Sequence, residues 1–165
     1  MDKAIQILEH EVDNPALGLP DSIFYYISKT TPLVNVDLLI KDHRGRTLLS
    51  WRDDKYCGKG WHIPGGIIRF KETFEERIRR VAETELGIAG TVIEFDSEPM
   101  AINQIINSRR NIRGHFISLL YRCSVPEDDI PVNRNAGLMR SGDLKWHEFC
   151  PLNLIKVHKI YEKHI

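Results

Sequence analysis

Glu85 stands where a carboxylate is hard to accommodate. The spacing of Ile78, Val81, Ala82 and Leu86 predicts a helix over 73–86 with one apolar face. At roughly 100° per residue, Glu85 falls on that same face, between Ile78 and Val81. It also lies in the last turn before Gly87, where the helix dipole disfavours an anion. Two environments satisfy it: a bound metal ion that needs an oxygen ligand, or a bend out into solvent at the helix end.

The segment before the helix suits close approach to a ligand. His62-Ile63-Pro64-Gly65-Gly66 runs from a short apolar strand end into a Pro-Gly-Gly turn. Such a turn brings backbone near a bound group and leaves carbonyls free to face a cation. Thr73 and Glu76 have the spacing of a capping box, which marks where the helix begins. The elements that must hold this pair of features follow an α+β order. Helices are expected over 3–12 and 20–29, and strands over 33–41 and 46–52 with a turn at Asp42-His43-Arg44-Gly45. Further strands are expected near 91–96, 100–106, 115–124 and 143–149, and a closing helix after Pro151 carrying Leu154, Ile155, Val157, Ile160 and Tyr161. In the first strand Leu33, Asn35, Asp37 and Leu39 share a face, so two polar side chains look to one side, for a site or for a structural hydrogen bond.

The run from Gly66 to Ile88, GIIRFKETFEERIRRVAETELGI, resembles the Nudix box, with Gly66, Glu72, Arg80, Ala82, Glu85, Gly87 and Ile88 in register. Val81 and Thr84 stand where the box has two more glutamates, so a cluster of several acidic ligands cannot form. One carboxylate can still hold Mg²⁺ where carbonyls, waters and substrate phosphates complete the octahedron. The resemblance implies a Nudix fold, a mixed β-sheet sandwiched between helices, in a single domain over 1–165 with 1–30 as an N-terminal helical arm. Gly66, Glu72, Arg80 and Gly87 would be scaffold, with a Glu72–Arg80 pair bracing the loop.

The same reduced box is characteristic of the GDP-mannose mannosyl hydrolase branch, which this chain is similar to from about Leu19 to Arg122 and again around Trp146. By that resemblance Gly65 and Glu85 hold Mg²⁺, with Mn²⁺ as an alternative. Arg52 binds the diphosphate, Asp37 supports the sugar or an arginine, and Leu19 and Phe24 contact the nucleotide sugar. His115 acts on the leaving phosphate or as a stand-in base. The branch has an Arg where this chain has Ile67, leaving Arg69 as a substitute, and a Gln-His pair where this chain has Arg140 and Ser141. No histidine lies between His115 and His147, so one of those two must serve as base if the family mechanism holds. In this branch water attacks C1 of the sugar and GDP departs. The expected activity is Mg²⁺-dependent hydrolysis of a nucleotide sugar to GDP and sugar. The alternatives are a pyrophosphohydrolase of another nucleoside diphosphate derivative and a non-catalytic nucleotide-sugar binder.

Composition agrees with one such domain. The chain has 165 residues and is 42% hydrophobic and 28% charged, enough for one sizeable core without a compositional break. Its formal net charge of zero argues against a general nucleic-acid or membrane surface. Local basic clusters must then handle phosphate. Arg109, Arg110 and Arg113 form one, readable as a solvated loop or as a diphosphate-facing lip. Cys57, Cys123 and Cys150 are scattered, which suggests neither a disulfide framework nor a zinc site. The N-terminus lacks a signal-peptide pattern, so a cytoplasmic location is expected. Ile23, Phe24, Tyr25, Tyr26 and Ile27 crowd the second helix with apolar and aromatic bulk, as a ligand arm or a homodimer contact would.

Overall fold

The computed structural model describes residues 1–131 and 139–165. Strand β1 (Leu33–Ile40) is its spine, with Leu, Val and Ile around Asn35 and Asp37 and buried along most of its length. Such a strand needs cover on both faces. It pairs in parallel with β7 (His115–Ser124) and antiparallel with β4 (Gly65–Ile67). Strands β5 (Glu94–Phe95) and β6 (Ala101–Ile106) add antiparallel to the far side of β7. A second sheet of β3 (Gly58–His62), β2 (Thr47–Asp54) and β8 (Leu144–His147) lies beside this mixed one. The expected mixed sheet is present with a second, antiparallel sheet beside it, and both contribute to two hydrophobic clusters.

Helix α3 (Phe74–Val81) covers one face. Its Ile78 and Val81 pack with Val36, Leu38 and Ile40 of β1, Leu48 of β2 and Tyr121 of β7. The capping box is present: Thr73 Oγ1 accepts the Glu76 N–H, and the Glu76 carboxylate accepts the Thr73 N–H. The other face is covered by the C-terminal segment, where Leu154 and Tyr161 join Leu39, Leu49, Trp61 and Leu120. Helices α1 (Asp2–His10) and α2 (Asp21–Thr30) form the N-terminal arm.

Three departures from the expected elements have local causes. The helix over 73–86 is α-helical only to Val81; Ala82–Leu86 is a π turn. It closes on Gly87 in the left-handed region (φ 69°), whose N–H bonds the Ala82 carbonyl. The closing helix does not begin at Pro151. Residues 153–155 are drawn to β3 by Trp61 N–H to Asn153 carbonyl and Ile155 N–H to Trp61 carbonyl bonds, so only Lys156–His164 coils, as a 3-10 helix. Strand β3 is rich in glycine and carries no period-2 apolar signal; Gly60 fits because a Cβ there would sit 2.4 Å from the Asn153 carbonyl oxygen.

Candidate active site

Strand β4 brings Gly65 beside Asp37 and under the π turn. Bonded pairs flank them, the Leu38 N–H donating to Pro64 and the Ile68 N–H to Val34, so Asp37 and Gly65 form a non-hydrogen-bonded pair. The N–H and carbonyl of Gly65 are thereby turned away from β1. Only glycine fits this place: a Cβ would lie 2.3 Å from Asp37 Oδ1 and 2.7 Å from the Val36 carbonyl oxygen.

Glu85 is delivered to the same point by the π turn. Its neighbours Ala82 and Leu86 are fully buried in the core, whereas its own side chain is about 25% exposed. The carboxylate lies over a cavity of about 230 Å³ whose wall includes Asp37, Arg52, His62, Gly65, Gly66 and Glu85. Its contacts are all long. His62 Nε2 is 3.3 Å away, the Gly65 N–H donates at 3.4 Å, and Arg52 Nη2 is 3.8 Å off. Arg52, on β2, also reaches Asp54 at 3.5 Å. Burial pushes the Asp54 carboxyl up, but the N–H groups of Cys57 and Tyr56 and the Arg52 charge outweigh it and hold the group below its ordinary value.

Asp37 is buried and accepts hydrogen bonds from Ser118 Oγ, Tyr161 Oη and Asn35 Nδ2. Burial raises its pKa against the two hydroxyl donors. The Asn35 amide oxygen, also at the wall, is buried and has no partner among the described residues.

The Arg109–Arg113 cluster divides. Arg110 and Arg113 line the cavity, which favours the lip reading over the solvated loop. Arg113 has a left-handed backbone (φ 52°), and its guanidinium lies over the rings of Phe24 and Tyr56, 5.7 and 5.2 Å from their centroids. Tyr56 Oη and Tyr25 Oη are 2.9 Å apart, so α2 is fastened to the β2–β3 turn around this arginine.

Several expected roles need correction. The brace on Glu72 is Arg77, whose Nε donates at 2.7 Å; its Nη2 comes within 2.6 Å of the same oxygen but at an angle that leaves it without a hydrogen bond. Arg80 is turned outward to Glu83 instead. His115 lies outside the cavity wall, bonded to Gln104 across β6 and β7 and facing a neighbouring hollow. His147 is outside it too, packed edge-on against Trp61 with 4.6 Å between ring centroids. Burial lowers its pKa to about 4. Arg69 donates to the Ala16 carbonyl at 3.4 Å and lies against Gly18, so it ties the box loop to the arm, while Ile67 lines the cavity. Leu19 and Phe24 are not in the wall, and Phe24 lies against the wall residue Arg113. Ser141 is held at the end of β2, its Oγ accepting the Asp53 N–H. The histidines that do line the cavity are His62 and His158. Their signal was in the sequence only as a strand-end histidine and a residue of the closing helix.

The NUDIX domain family model matches residues 31–164. The chain belongs to the Nudix family. Among curated proteins, the low-salt glycan biosynthesis protein Agl8 of Haloferax volcanii is 36% identical over 83 residues, which is 50% of this chain and 53% of that protein. The chain thus spans about half the length of this curated relative. A MutT Nudix hydrolase from Burkholderia pseudomallei superposes with a TM-score of 0.62 at 22% identity, covering 82% of this chain and 98% of that one. The Nudix domain of Shewanella oneidensis NrtR, solved with ADP-ribose, gives 0.56 at 19% identity over 90% and 92% of the two chains. These likenesses establish the α+β Nudix fold.

The side chains of this Nudix site limit what cation it could hold. Among the described residues no three His, Cys, Asp or Glu side chains cluster as a metal centre. Glu85, loosely engaged, and the Gly65 carbonyl, turned from its sheet partner, fit one hard cation completed by water and substrate oxygens. They do not fit a multi-metal cluster.

Proposed function

We propose that this Nudix hydrolase cleaves a nucleoside diphosphate sugar of the GDP-mannose type at the sugar carbon, releasing GDP and the sugar, with one Mg²⁺ or Mn²⁺ held by Glu85 and the Gly65 carbonyl. The observation that carries this reading is the make-up of the cavity wall: of the box glutamate positions only Glu85 reaches it, loosely held, while Arg52, Arg110 and Arg113 line it with Asp54 beside Arg52 and Asp37 bonded by Ser118 and Tyr161. Water attack on phosphorus needs charge offset on the transferring phosphoryl group, commonly by clustered metals. Departure of an intact diphosphate from an oxocarbenium-like centre needs mainly stabilisation of that leaving group. Arginines supply it bidentately. The bound ion would add a second positive centre on the diphosphate.

The protein's own groups divide the remaining work. Arg52 and Arg113 bind and orient diphosphate oxygens from β2 and from the 107–114 turn. The unpartnered amide oxygen of Asn35, with Asp37 behind it, accepts from sugar hydroxyls. The relative named for glycan biosynthesis supports a sugar-nucleotide substrate. Homodimer formation through the arm is part of the same reading, because α1 buries no residue of its own and exposes Ile5, Ile7 and Leu8.

Incubation with GDP-mannose and Mg²⁺ in ¹⁸O-labelled water tests the reaction. GDP free of label is the expected result; label in GDP would put the attack on its terminal phosphorus. Labelled GMP or mannose 1-phosphate would move attack to phosphorus and overturn the reading.

A further inference from the structure

His62 closes β3 with its ring almost wholly buried, 4% exposed, yet it reaches the cavity wall beside Glu85. Its two nitrogens have different partners. Nδ1 is 2.8 Å from the Ser50 carbonyl oxygen. A carbonyl only accepts, so Nδ1 carries a proton and donates it. Nε2 is then the nitrogen turned toward the cavity, 3.3 Å from Glu85 Oε2. That spacing is longer than the roughly 2.7–2.9 Å typical of a charge-assisted hydrogen bond, near the separation of two atoms that ligate one ion. Arg52 reaches the carboxylate only at 3.8 Å, from its other oxygen, Oε1.

We propose that His62 Nε2 is a third protein ligand of the cation at Glu85 and Gly65, so that the site takes Mn²⁺ or Co²⁺ in preference to Mg²⁺. The inference rests on the metal site of the preceding reading and adds the donor that sets its selectivity. Two ligands at right angles on an ion with bonds of about 2.1 Å stand about 3.0 Å apart, close to the Glu85–His62 spacing. A histidine that ligates through one nitrogen ordinarily donates the other N–H to a carbonyl or carboxylate, as His62 does to Ser50. The ring is further fixed by His158, 5.9 Å away between centroids, whose own Nδ1 accepts the Ile63 N–H at 3.0 Å. His62 is thus held by the Ser50 carbonyl on one side and the His158 ring on the other and has little freedom to turn from the cavity. An imidazole nitrogen favours later, softer ions over Mg²⁺, which prefers an all-oxygen shell.

Pulsed electron paramagnetic resonance of the full chain loaded with Mn²⁺ alone decides this without any turnover. The expected spectrum shows nitrogen modulation from a directly bound imidazole, which changes to the ¹⁵N pattern when the protein is grown on ¹⁵N-histidine. His62→Phe should remove the modulation and weaken Mn²⁺ binding about tenfold or more, with a smaller loss for Mg²⁺. Wild-type protein that binds Mn²⁺ without imidazole modulation overturns the role of His62, and GDP release would still stand as a separate result. Modulation that survives His62→Phe assigns the nitrogen elsewhere and overturns it equally. Absence of Mn²⁺ binding overturns both this ligand and the proposed cation site.

Discussion

Replacing Arg77 with methionine removes the cation that underlies the box loop, and the structure sets the size of the effect. The Arg77 side chain is 8% exposed and its partner Glu72 15%, so the pair is shielded from water. The arginine stem also fills space beneath Gly66, where a Cβ would lie 3.1 Å from Arg77 Cδ and 2.9 Å from Val81 Cγ2. Methionine restores much of that stem but leaves the Glu72 carboxylate, among the described residues, with only the Arg69 N–H, at 2.8 Å. Removing one partner of a buried pair costs about 3–5 kcal/mol. For a domain of this length that corresponds to a fall in melting temperature of about 6–20 °C. Arg80, the residue the family pattern points to, is 58% exposed with Glu83 at 44%. Arg80→Met should therefore shift stability by less than about 1 kcal/mol. Thermal and urea unfolding followed by circular dichroism measure both. In a double-mutant cycle, Glu72→Gln should show coupling to Arg77→Met and none to Arg80→Met. Equal losses for the two arginines, or an unaffected Arg77 variant, would refute the assignment of the brace.

Two further perturbations address the site and the pH response. Glu85→Gln should abolish Mg²⁺-stimulated hydrolysis and Mn²⁺ binding while leaving the melting temperature within about 2 °C, because Glu85 makes only long contacts; a large loss of stability would make it a structural carboxylate. His147, pushed by burial to about 4, and His158, pushed well below its usual range, stay unprotonated in the fold and take up protons when unfolded. The stability they contribute is present above about pH 6.5 and is lost as pH falls through their folded-state values. His147→Phe keeps an aromatic ring against Trp61 and removes one of these groups, so its melting temperature should fall less than the wild type's between pH 7 and 4; parallel curves would refute it.

What could be read from the chain followed from local pattern. The stripe of Ile78, Val81, Ala82 and Leu86, the Thr73–Glu76 cap and the β1–turn–β2 sequence are all signals within a few residues, and each matches an element in place. The π turn was not legible, because a constant angle per residue cannot anticipate where a helix widens to meet a glycine cap. Arg77 is one helical turn from Arg80, and only the tertiary position of the Glu72 loop distinguishes them. His62, Arg110, Arg113 and His158 meet at one cavity from positions up to 96 residues apart, a convergence with no short-range signature. His115 illustrates the reverse: its strand was placed correctly, but strand alternation turns Phe116 rather than His115 toward the cavity.

The loss of two box glutamates can be understood from what occupies the space around Glu85. Val81 is a core residue, 1% exposed, packed under the sheet, and a carboxylate there would need its own compensating cation. Thr84 bonds back to the Arg80 carbonyl at 2.8 Å and contributes nothing to the cavity wall. Positive charge reaches the cavity wall instead from Arg52 on β2 and from Arg110 and Arg113 in the 107–114 turn. A site arranged this way, on the proposed reading, gives up charge offset at a pentacoordinate phosphorus and concentrates it on a diphosphate held as a unit. On the proposed reading, substrate discrimination then lies less with the box than with the Arg113–Phe24–Tyr56 stack. By that reading the stack, in which Arg113 lies over both rings, would couple contacts made by the arm to the position of the diphosphate.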